Sequence, residues 1–599
     1  MARKTKLARA VLEGDLDQVR RLLAEGEDIN GRDSDGATPL MHAASCAVDE
    51  AVVRLLLSAG ADVNAVAESG ETALANAFSN PSGRAIERLL LEAGADPNIR
   101  QADGTPLLHA LFRLGYSTIE TVRLMLEKGA DVNARDKSGA TPLMFAAGFS
   151  KDPGIIGLLL GAGADLEAED EDETTALFWA SELSSELPVF DALLDAGADT
   201  GVISKSGTPV LGAAASDTSS PLVIARLAEA GADLGLRDGS GDTPLMRAAY
   251  FNPRPEVLEA LIAKGARIDE RGGRGETALM LAAGRDTNDR KVRLLLSAGA
   301  DPELKDWEGY SALVYAIKSD NLSITVIRAL LKAGADPNSR DNNGGVPLCY
   351  AAANLDKPGC IRTLVRHGAD ISSRDNLNAT CLHIAAANNL NPLIIQELLS
   401  LGADINAKDE SGHTALMLAS GANPASAVAK VLVEAGADVN AVDNAGWSSL
   451  RYAAAFNFNT KVLSVLISAG ADVDAKVQGG FTSLMLAAAL GAFPDNVRLL
   501  ARRSRNVDER DDQGSTALMH AVQNGCAEVI IRPLVEAGAD VNASDKAGES
   551  VLMKAVKGKD ASPAIVRYLA SSGAVVTEEA LKAASKEEVR KALEVALKP

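Results

Sequence analysis

The side chains best suited to metal binding or nucleophilic chemistry are six histidines and five cysteines, and they are spread along the whole chain. His42 and Cys46 are four residues apart and fit one face of a helix, whereas Cys381 and His383 are two apart and point in different directions. Neither pair has the further ligands that a structural zinc site requires. We therefore expect no bound metal and no cofactor.

Phosphate-binding and acyl-transfer motifs are absent from the sequence. Neither G-x-x-x-x-G-K-[ST] nor G-x-S-x-G occurs. The segment Asp165–Glu173 (DLEAEDEDE) holds seven carboxylates in nine residues, but their spacing does not match a calcium-binding loop. Because no long insertion interrupts the chain, a separate catalytic domain is not expected. The sequence predicts a protein that is not an enzyme.

The glycines follow a fixed interval instead. The segment Gly129–Ala147 (GADVNARDKSGATPLMFAA) recurs along the chain, and its first glycine returns every 34 or 35 residues from Gly26 to Gly573, with Ser504 in one of these places. A period of about 20 to 50 residues is typical of stacked repeat architectures. The sequence therefore predicts a solenoid.

Each repeat has the pattern of two short helices joined by turns. Apolar residues at helical spacing in Thr121–Lys128 predict a helix that Gly129 ends, because glycine adopts positive φ without steric cost. The polar segment Asp131–Ser138 predicts an extended turn or hairpin. Thr141 and Pro142 predict the start of the next helix, since threonine caps and proline fits the first turn.

This order of elements, with the T-P-L and G-A-D-V-N motifs, resembles the ankyrin repeat over roughly residues 5–575. The matching helix starts are Thr38-Pro39-Leu40, Thr141-Pro142-Leu143, Thr243-Pro244-Leu245 and Thr380-Cys381-Leu382-His383. The resemblance implies an all-α repeat solenoid of stacked helix-turn-helix units with short β-hairpin loops, curved into a superhelix. One departure is that the family's histidine after T-P-L survives as His383 and is mostly methionine elsewhere, for example Met41, Met144 and Met417.

The repeat pattern also sets the expected domain limits. We predict a capping half-repeat at residues 1–29, about sixteen repeats over residues 30–575 and capping helices at residues 576–599. Thr105 and Thr208 come one residue early, which predicts two shorter hairpins. Ala501–Asn506 replaces the usual glycine triplet. Because each interface of a linear array stands nearly alone, we predict that any opening begins near residues 501–510.

Composition narrows the classes of partner. The formal net charge of −21 disfavours nucleic-acid binding, which requires a basic surface. No apolar stretch is long enough to span a membrane, and the basic N-terminus lacks the apolar core of a signal peptide. Five cysteines without paired spacing predict reduced thiols in a cytoplasmic protein. Cys349 and Cys381 could be close, but we interpret them as ordinary packing.

One column of residues stands out as a candidate binding surface. It lies two positions after the leucine of T-P-L, which by the resemblance borders the concave face. It comprises His42, Asn76, His109, Phe145, Trp179, Gly212, Arg247, Leu281, Tyr315, Tyr350, Ile384, Leu418, Tyr452, Leu486, His520 and Lys554. We interpret the column first as half-buried packing between helices. The alternative is a binding surface, because tyrosine and tryptophan are enriched at interaction hot spots.

The candidate partner-binding residues follow from that column and from the hairpins. They are Phe145, Trp179, Tyr315, Tyr350 and Tyr452 in the column, Trp307, Tyr310, Trp447 and Phe481 in hairpins, and Asp170, Glu171 and Asp172 in the acidic segment. The acidic segment is interpreted as a solvated tip, or alternatively as an attraction for a basic partner.

The sequence thus favours a non-enzymatic, intracellular scaffold for protein–protein interaction. We expect a monomer that binds a protein partner through concave inner helices and hairpin tips, without nucleic acid and without membrane insertion. Two alternatives remain open: a bacterial effector that acts in a host cell, and a structural spacer without a specific partner.

Overall fold

The computed structural model describes residues 4–46, 49–68, 70–78, 80, 84–101, 104–113, 118–287, 289–491, 493–558 and 561–597. The chain divides into two compact units, Met1–Asp301 and Pro302–Pro599. Within the described residues both units consist of helices joined by turns, with no strand longer than an isolated antiparallel bridge. The structure is therefore an all-helical repeat solenoid, as the sequence predicts.

The helices of the first unit alternate between an inner helix, which follows each hairpin, and an outer helix. They are α1 Lys6–Glu13, α2 Leu16–Ala24, α3 Pro39–Ser45, α4 Glu50–Ser58, α5 Ala73–Phe78, α6 Arg84–Glu92, α7 Leu107–Arg113, α8 Ile119–Glu127, α9 Pro142–Phe149, α10 Pro153–Gly161, α11 Ala176–Leu183, α12 Leu187–Asp195, α13 Val210–Asp217, α14 Pro221–Glu229, α15 Pro244–Tyr250, α16 Pro255–Ala263, α17 Ala278–Arg285 and α18 Arg290–Ser297.

The second unit continues the same alternation. Its helices are α19 Ala312–Lys318, α20 Ile324–Lys332, α21 Pro347–Asn354, α22 Pro358–Arg366, α23 Cys381–Asn388, α24 Pro392–Ser400, α25 Ala415–Ala422, α26 Ser426–Glu434, α27 Ser449–Phe456, α28 Thr460–Ser468, α29 Ser483–Leu490, α30 Pro494–Arg503, α31 Ala517–Gln523, α32 Glu528–Glu536, α33 Val551–Lys557, α34 Pro563–Ser571, α35 Glu578–Ala583 and α36 Glu587–Ala596.

Methionine replaces histidine at most inner-helix starts because its sulfur can accept the same hydrogen bond. The Thr141 amide donates to Met144 Sδ at 3.3 Å, while Thr141 Oγ1 accepts the Met144 amide at 3.4 Å. In α23 the Thr380 amide donates to His383 Nδ1 at 3.1 Å instead, and His383 Nε2 donates to the His413 carbonyl oxygen at 3.0 Å. Both side chains therefore cap the helix, but only histidine also bonds the next hairpin.

Most hairpins are closed by a short set of backbone bonds around an aspartate, as at Asp136. The Asp136 amide donates to the Ala140 carbonyl at 3.1 Å, and the Gly139 amide donates to the Asp136 carbonyl at 3.2 Å. Gly139 has a φ of 79°, which glycine tolerates best. Asp136 Oδ1 accepts the amides of Ser138 and Ala140, so one carboxylate oxygen orders the whole tip.

The prediction of two shorter hairpins is wrong. The Gln101 amide donates to the Thr105 carbonyl at 2.9 Å and the Gly104 amide to Gln101 at 2.8 Å, which is the same pattern as at Asp136. Helix α7 then begins at Leu107, so Thr105 is the last hairpin residue and does not cap the helix. The hairpin that ends at Thr208 has the same arrangement.

This shift changes the column at two positions. His109 is the third residue of α7, as His383 is of α23, and its Nε2 donates to the Ala140 carbonyl at 2.9 Å. The column position in these two repeats therefore belongs to Ala110 and Ala213, and not to His109 and Gly212.

The segment without the glycine triplet keeps its bond to the preceding repeat. Ser504 Oγ donates to Asp474 Oδ1 at 2.5 Å, and the Arg505 amide donates to Asp474 Oδ2 at 3.1 Å. Ser504 adopts a φ of −64°, so this helix ends without the left-handed residue of its neighbours. Opening at this segment stays a prediction.

We expect amides of residues 501–510 to exchange with solvent faster than the matching amides around Gly470 and Gly538, because the helix end there lacks the glycine cap. Native-state hydrogen exchange of the full chain measures this difference. Equal protection of the three segments would contradict the prediction.

His383 should make the local stability of α23 depend on pH. Burial lowers the pKa of His383 below 6.5, because a protonated ring would lose solvation and could no longer accept the Thr380 amide. As pH falls below 6.5, the open state takes up a proton that the closed state does not, so the protection of α23 decreases. The expected slope is at most about 1.4 kcal/mol per pH unit.

Hydrogen exchange between pH 7.5 and 5.5, corrected for intrinsic rates, measures this slope. The variant His383→Met should flatten it, since methionine occupies this position in other repeats and does not titrate. Helix α17, which carries Met280 at the same position, serves as the internal control. An unchanged slope in the variant would assign the pH dependence to other groups.

Candidate functional site

Half of the column residues share one structural role, although their side chains differ in type: each hydrogen-bonds an aspartate of its own hairpin. In eight repeats of the described part of the chain, the column residue donates a hydrogen bond to the hairpin aspartate nine residues earlier. The pairs are His42–Asp33, Trp179–Asp170, Arg247–Asp238, Tyr315–Asp306, Tyr350–Asp341, Tyr452–Asp443, His520–Asp511 and Lys554–Asp545. We call this contact the aspartate–donor pair. In these eight repeats the pair joins the hairpin tip to the inner helix of the same repeat.

The pair fixes how the column tyrosines can meet a partner. Tyr452 Oη donates to Asp443 Oδ2 at 2.6 Å, and the other oxygen of Asp443 accepts the amides of Ala445 and Trp447. Burial and the Asp443 carboxylate together raise the pKa of Tyr452 above its usual value. The tyrosine hydroxyls are thus committed within the fold, and only the rings remain for contact.

In the first unit the predicted aromatic residues form one cluster. Phe145 is only 7% exposed and lies 5.1 Å from the ring of Trp179 and 5.9 Å from the ring of Phe149, between ring centroids. Trp179 Nε1 donates to Asp170 Oδ2 at 2.9 Å, which holds the indole against the hairpin. Phe145 therefore supports a surface that Trp179 and Phe149 present.

The three predicted acidic residues do not share one role. Asp170 accepts hydrogen bonds from the Asp172 and Thr174 amides and from Trp179, so it organises the tip. Glu171 and Asp172 are exposed, although their backbones bond the hairpins on either side. Of these three residues, Glu171 and Asp172 are therefore the solvated ones.

Three aromatic groups occur among the described residues of the second unit, and the first surrounds Lys318. Its Nζ lies 4.1 Å from the ring centroid of Tyr310 and 5.5 Å from that of Tyr350, whose rings meet edge to face at 5.6 Å. Tyr315 Oη donates to Asp306 at 2.9 Å. Trp307, at the hairpin tip, is 61% exposed.

The second group surrounds Trp447. Its ring stacks on Phe456 at 6.0 Å with an interplanar angle of 16°, and Tyr452 lies 5.3 Å from Trp447. In a later repeat the ring centroids of Phe481 and His520 lie 4.8 Å apart, which makes a third group. The sequence-predicted residues of this unit thus fall in three separate places and do not form one site.

The structure also shows a second surface position that sequence reasoning missed. It lies four residues after the column on the inner helix. Phe149, Leu183, Phe251, Phe456 and Leu490 occupy it, and they are between 41% and 55% exposed. Residues four apart share a helix face, so extending the column by one helical turn would have found them.

The interpretation of Cys349 and Cys381 as reduced thiols is wrong. A disulfide joins them across the starts of the neighbouring inner helices α21 and α23, where their Cα atoms are 4.4 Å apart. Both residues are buried. Cys46, Cys360 and Cys526 are free thiols. Disulfides are typical of oxidising compartments, so the cytoplasmic location stays a prediction.

Metal sites and membrane-spanning helices are two other features that the described residues would reveal. No three histidine, cysteine, aspartate or glutamate side chains among them gather as metal ligands. Within the same residues no helix is long and apolar enough to cross a membrane.

Comparison with protein families gives matches along most of the chain. The family model described as ankyrin repeats, in three copies, matches residues 7–101, 82–170, 107–204, 177–306, 245–341, 279–375, 382–477 and 484–580. A comparison with curated proteins finds no match.

The aspartate–donor pair can be tested at Tyr452. We expect Tyr452→Phe to lower the local stability of α27 and its hairpin by about 1–2 kcal/mol, because Asp443 loses a buried donor. Hydrogen exchange of residues 443–456 in the full chain measures the change. Tyr568→Phe, on outer helix α34, is the matched control and should leave this segment unchanged.

The reciprocal variant sharpens the same test. Asp443→Asn and Tyr452→Phe should be non-additive when combined, since each removes the same contact. Additive effects would show that the two side chains act independently.

Proposed function

Because the chain belongs to the ankyrin repeat family, whose repeats are generally modules for protein–protein interaction, we propose that it is a non-enzymatic scaffold that binds a protein partner. The binding surface is the inner-helix face with the adjoining hairpin tips, and each unit presents its own part of it. The candidate residues are those of the aromatic groups described above and the exposed carboxylates of the acidic tip.

The observation that carries this proposal is the row of exposed apolar side chains four residues after the column. In the first unit these are Phe149, Leu183 and Phe251, and in the second Phe456 and Leu490. A single exposed apolar residue needs no explanation, but apolar side chains that recur at one repeat position on one face favour an interaction surface. Large aromatic residues at such a surface supply much of the binding energy.

Rigid display is the proposed mechanism. The aspartate–donor pairs hold Trp179, Tyr350 and Tyr452 in fixed orientations before any partner arrives. Binding to ordered side chains costs less conformational entropy than binding to mobile ones. The aspartate–donor pairs thus support affinity by ordering the aromatic rings that contact the partner.

Charge would act at an earlier stage of binding. With a net charge of −21 and exposed carboxylates at Glu171 and Asp172, the chain favours a partner with a basic surface. Complementary charge mainly accelerates encounter and selects among partners.

We also propose that residues 1–29 and 576–599 cap the array. Helix α1 begins after the Thr5 cap and buries Leu7, Ala8, Ala10 and Val11. Helix α36 buries Val589, Ala592 and Leu593 on one side and leaves most other positions in solvent. A polar outer face is what the last unit of a stacked array requires.

The test is affinity capture from a lysate of the source cells, with crosslinking and mass spectrometry. The variants Phe149→Ser/Leu183→Ser and Phe456→Ser/Leu490→Ser remove apolar surface from the inner helices of each unit. The matched controls are Leu222→Ser and Leu393→Ser, which remove side chains that are 59% and 53% exposed on outer helices. We expect at least one inner-helix variant to lose a protein that both controls retain.

Each other outcome has a definite meaning. A protein lost equally from inner-helix variants and controls would contradict the assignment of the binding face. If wild type retains no specific protein, the spacer without a partner is favoured. Specific capture only from a foreign host lysate would favour the effector alternative.

A further inference from the structure

A cavity of about 370 Å³ opens on the inner-helix face of the first unit, beside Trp179. Its lining includes the apolar side chains Phe178, Trp179 and Leu183 and the polar side chains Asp172, Glu182 and Ser206. We call it the Trp179 cavity. It is large enough for one long side chain of a partner and too small for a folded element.

The next repeat explains why this space is not filled from within. Where other repeats have an aspartate–donor pair, it carries Ser204 and Ala213, which are both small. Ser204 lines the cavity. The absent pair leaves room directly beside the indole of Trp179.

The cavity is electrically negative. Partial burial raises the pKa of Glu182, and repulsion from Asp217, Asp170 and Asp172 raises it further against the attraction of Arg247. Asp217 has a raised pKa for the same first reason, burial. No lysine or arginine is among the described lining residues. A bound cation would therefore relieve repulsion that the folded chain leaves in place.

The same face already holds a guanidinium group elsewhere, which shows the chemistry that it accepts. Arg247 Nη1 donates to Asp238 at 2.7 Å and Nε donates to Ser216 Oγ at 3.0 Å. The guanidinium carbon of Arg247 lies 5.2 Å from the ring centroid of Phe251. A carboxylate, a serine hydroxyl and an aromatic ring are also what the Trp179 cavity offers.

A second internal cation supports this comparison. The guanidinium carbon of Arg285 lies 4.3 Å from the ring centroid of Tyr250, one repeat further along. Cations over aromatic rings are attracted to the ring quadrupole, and tryptophan is the strongest of these rings.

We propose that the Trp179 cavity receives an arginine side chain of the protein partner, whose guanidinium stacks on Trp179 and pairs with Asp172 and Glu182. This inference rests on the proposed function and specifies the partner's chemistry. A planar guanidinium can stack and donate along its edges at the same time, whereas the compact ammonium of lysine cannot. The cavity therefore selects arginine over lysine.

The experiment uses fluorine NMR of the full chain labelled with 5-fluorotryptophan. The chain has three tryptophans, so three signals are expected, assigned by single Trp→Phe variants. The probe is N-acetyl-arginine N-methylamide, compared with the lysine analogue and with the uncharged citrulline analogue. We expect a saturable shift of the Trp179 signal at concentrations on the order of millimolar, because so small a ligand buries few atoms.

Two variants that each neutralise carboxylates distinguish binding inside the cavity from general electrostatic attraction to the acidic tip. Asp172→Asn/Glu182→Gln should weaken arginine binding at least about tenfold, since both paired carboxylates are lost. Glu171→Gln changes the same exposed tip but does not line the cavity, and should weaken binding by about twofold or less. Signals from Trp307 and Trp447 should stay in place in each case.

Several results would overturn the proposal: equal shifts for all three tryptophans, equal affinity for citrulline or lysine, no saturable shift, or binding that the double variant retains. These failures are distinct from a failure of the proposed function. If the inner-helix variants lose a partner but arginine does not bind, only the Trp179 cavity is assigned wrongly. If arginine binds but no partner depends on the inner face, the scaffold proposal fails instead.

Discussion

The interaction on which the rest of this structure depends is the hydrogen bonding between the turns of adjacent repeats. Asn98 Nδ2 donates to the Gly129 carbonyl at 2.9 Å, and its Oδ1 accepts the Asp131 amide at 2.7 Å. Arg135 Nη1 donates to its own hairpin at Gly139 and to the next at the Glu169 carbonyl. These bonds lie at the surface, where a hydrogen bond typically contributes about 0.5–1.5 kcal/mol, and the Asn-to-glycine bond recurs at several interfaces between repeats. The stability of each interface therefore depends mainly on the two repeats that form it.

A second set of hydrogen bonds, between the end of one inner helix and the end of the next, is kept even where the residue that donates them changes. Asn252, Asn389, Asn423 and Asn457 each donate through Nδ2 to two carbonyls at the end of the preceding inner helix. Asp286 stands at this position in one repeat and cannot donate, so Lys291, five residues later, reaches the Ala249 and Asn252 carbonyls instead. In another repeat Gly491 occupies this position. Asn496, five residues later, donates the two hydrogen bonds instead, to the Ala453 and Asn457 carbonyls. Burial lowers the pKa of Lys291, which shows that this substitution carries an electrostatic cost.

How far the sequence predicts this protein depends on whether a feature is periodic. Period, helix pairs and glycine helix ends all repeat, so the fold follows from them. The predicted register is wrong at Thr105 and Thr208, because the Thr-Pro pair does not mark the helix start there; the hairpin bonds of Gln101 and Ser204 set the register instead. The aspartate–donor pair could have been found, since an aspartate precedes each of its donors by nine residues. The Cys349–Cys381 disulfide and the Trp179 cavity depend on how neighbouring side chains meet, which no single repeat reveals.

The aspartate–donor pair also explains how such a surface can carry function without endangering the fold. Histidine, tryptophan, arginine, tyrosine and lysine all satisfy the aspartate, so a column position can change its shape and charge while keeping one hydrogen bond. The position four residues later has no such duty and varies from Phe149 and Phe456 to Arg285 and Asn354. We therefore propose that recognition uses the side of the inner helix that the aspartate–donor pairs leave unconstrained. The Trp179 cavity lies where the two roles meet, because Asp170 holds Trp179 while the small side chains of Ser204 and Ser206 line the space beside it.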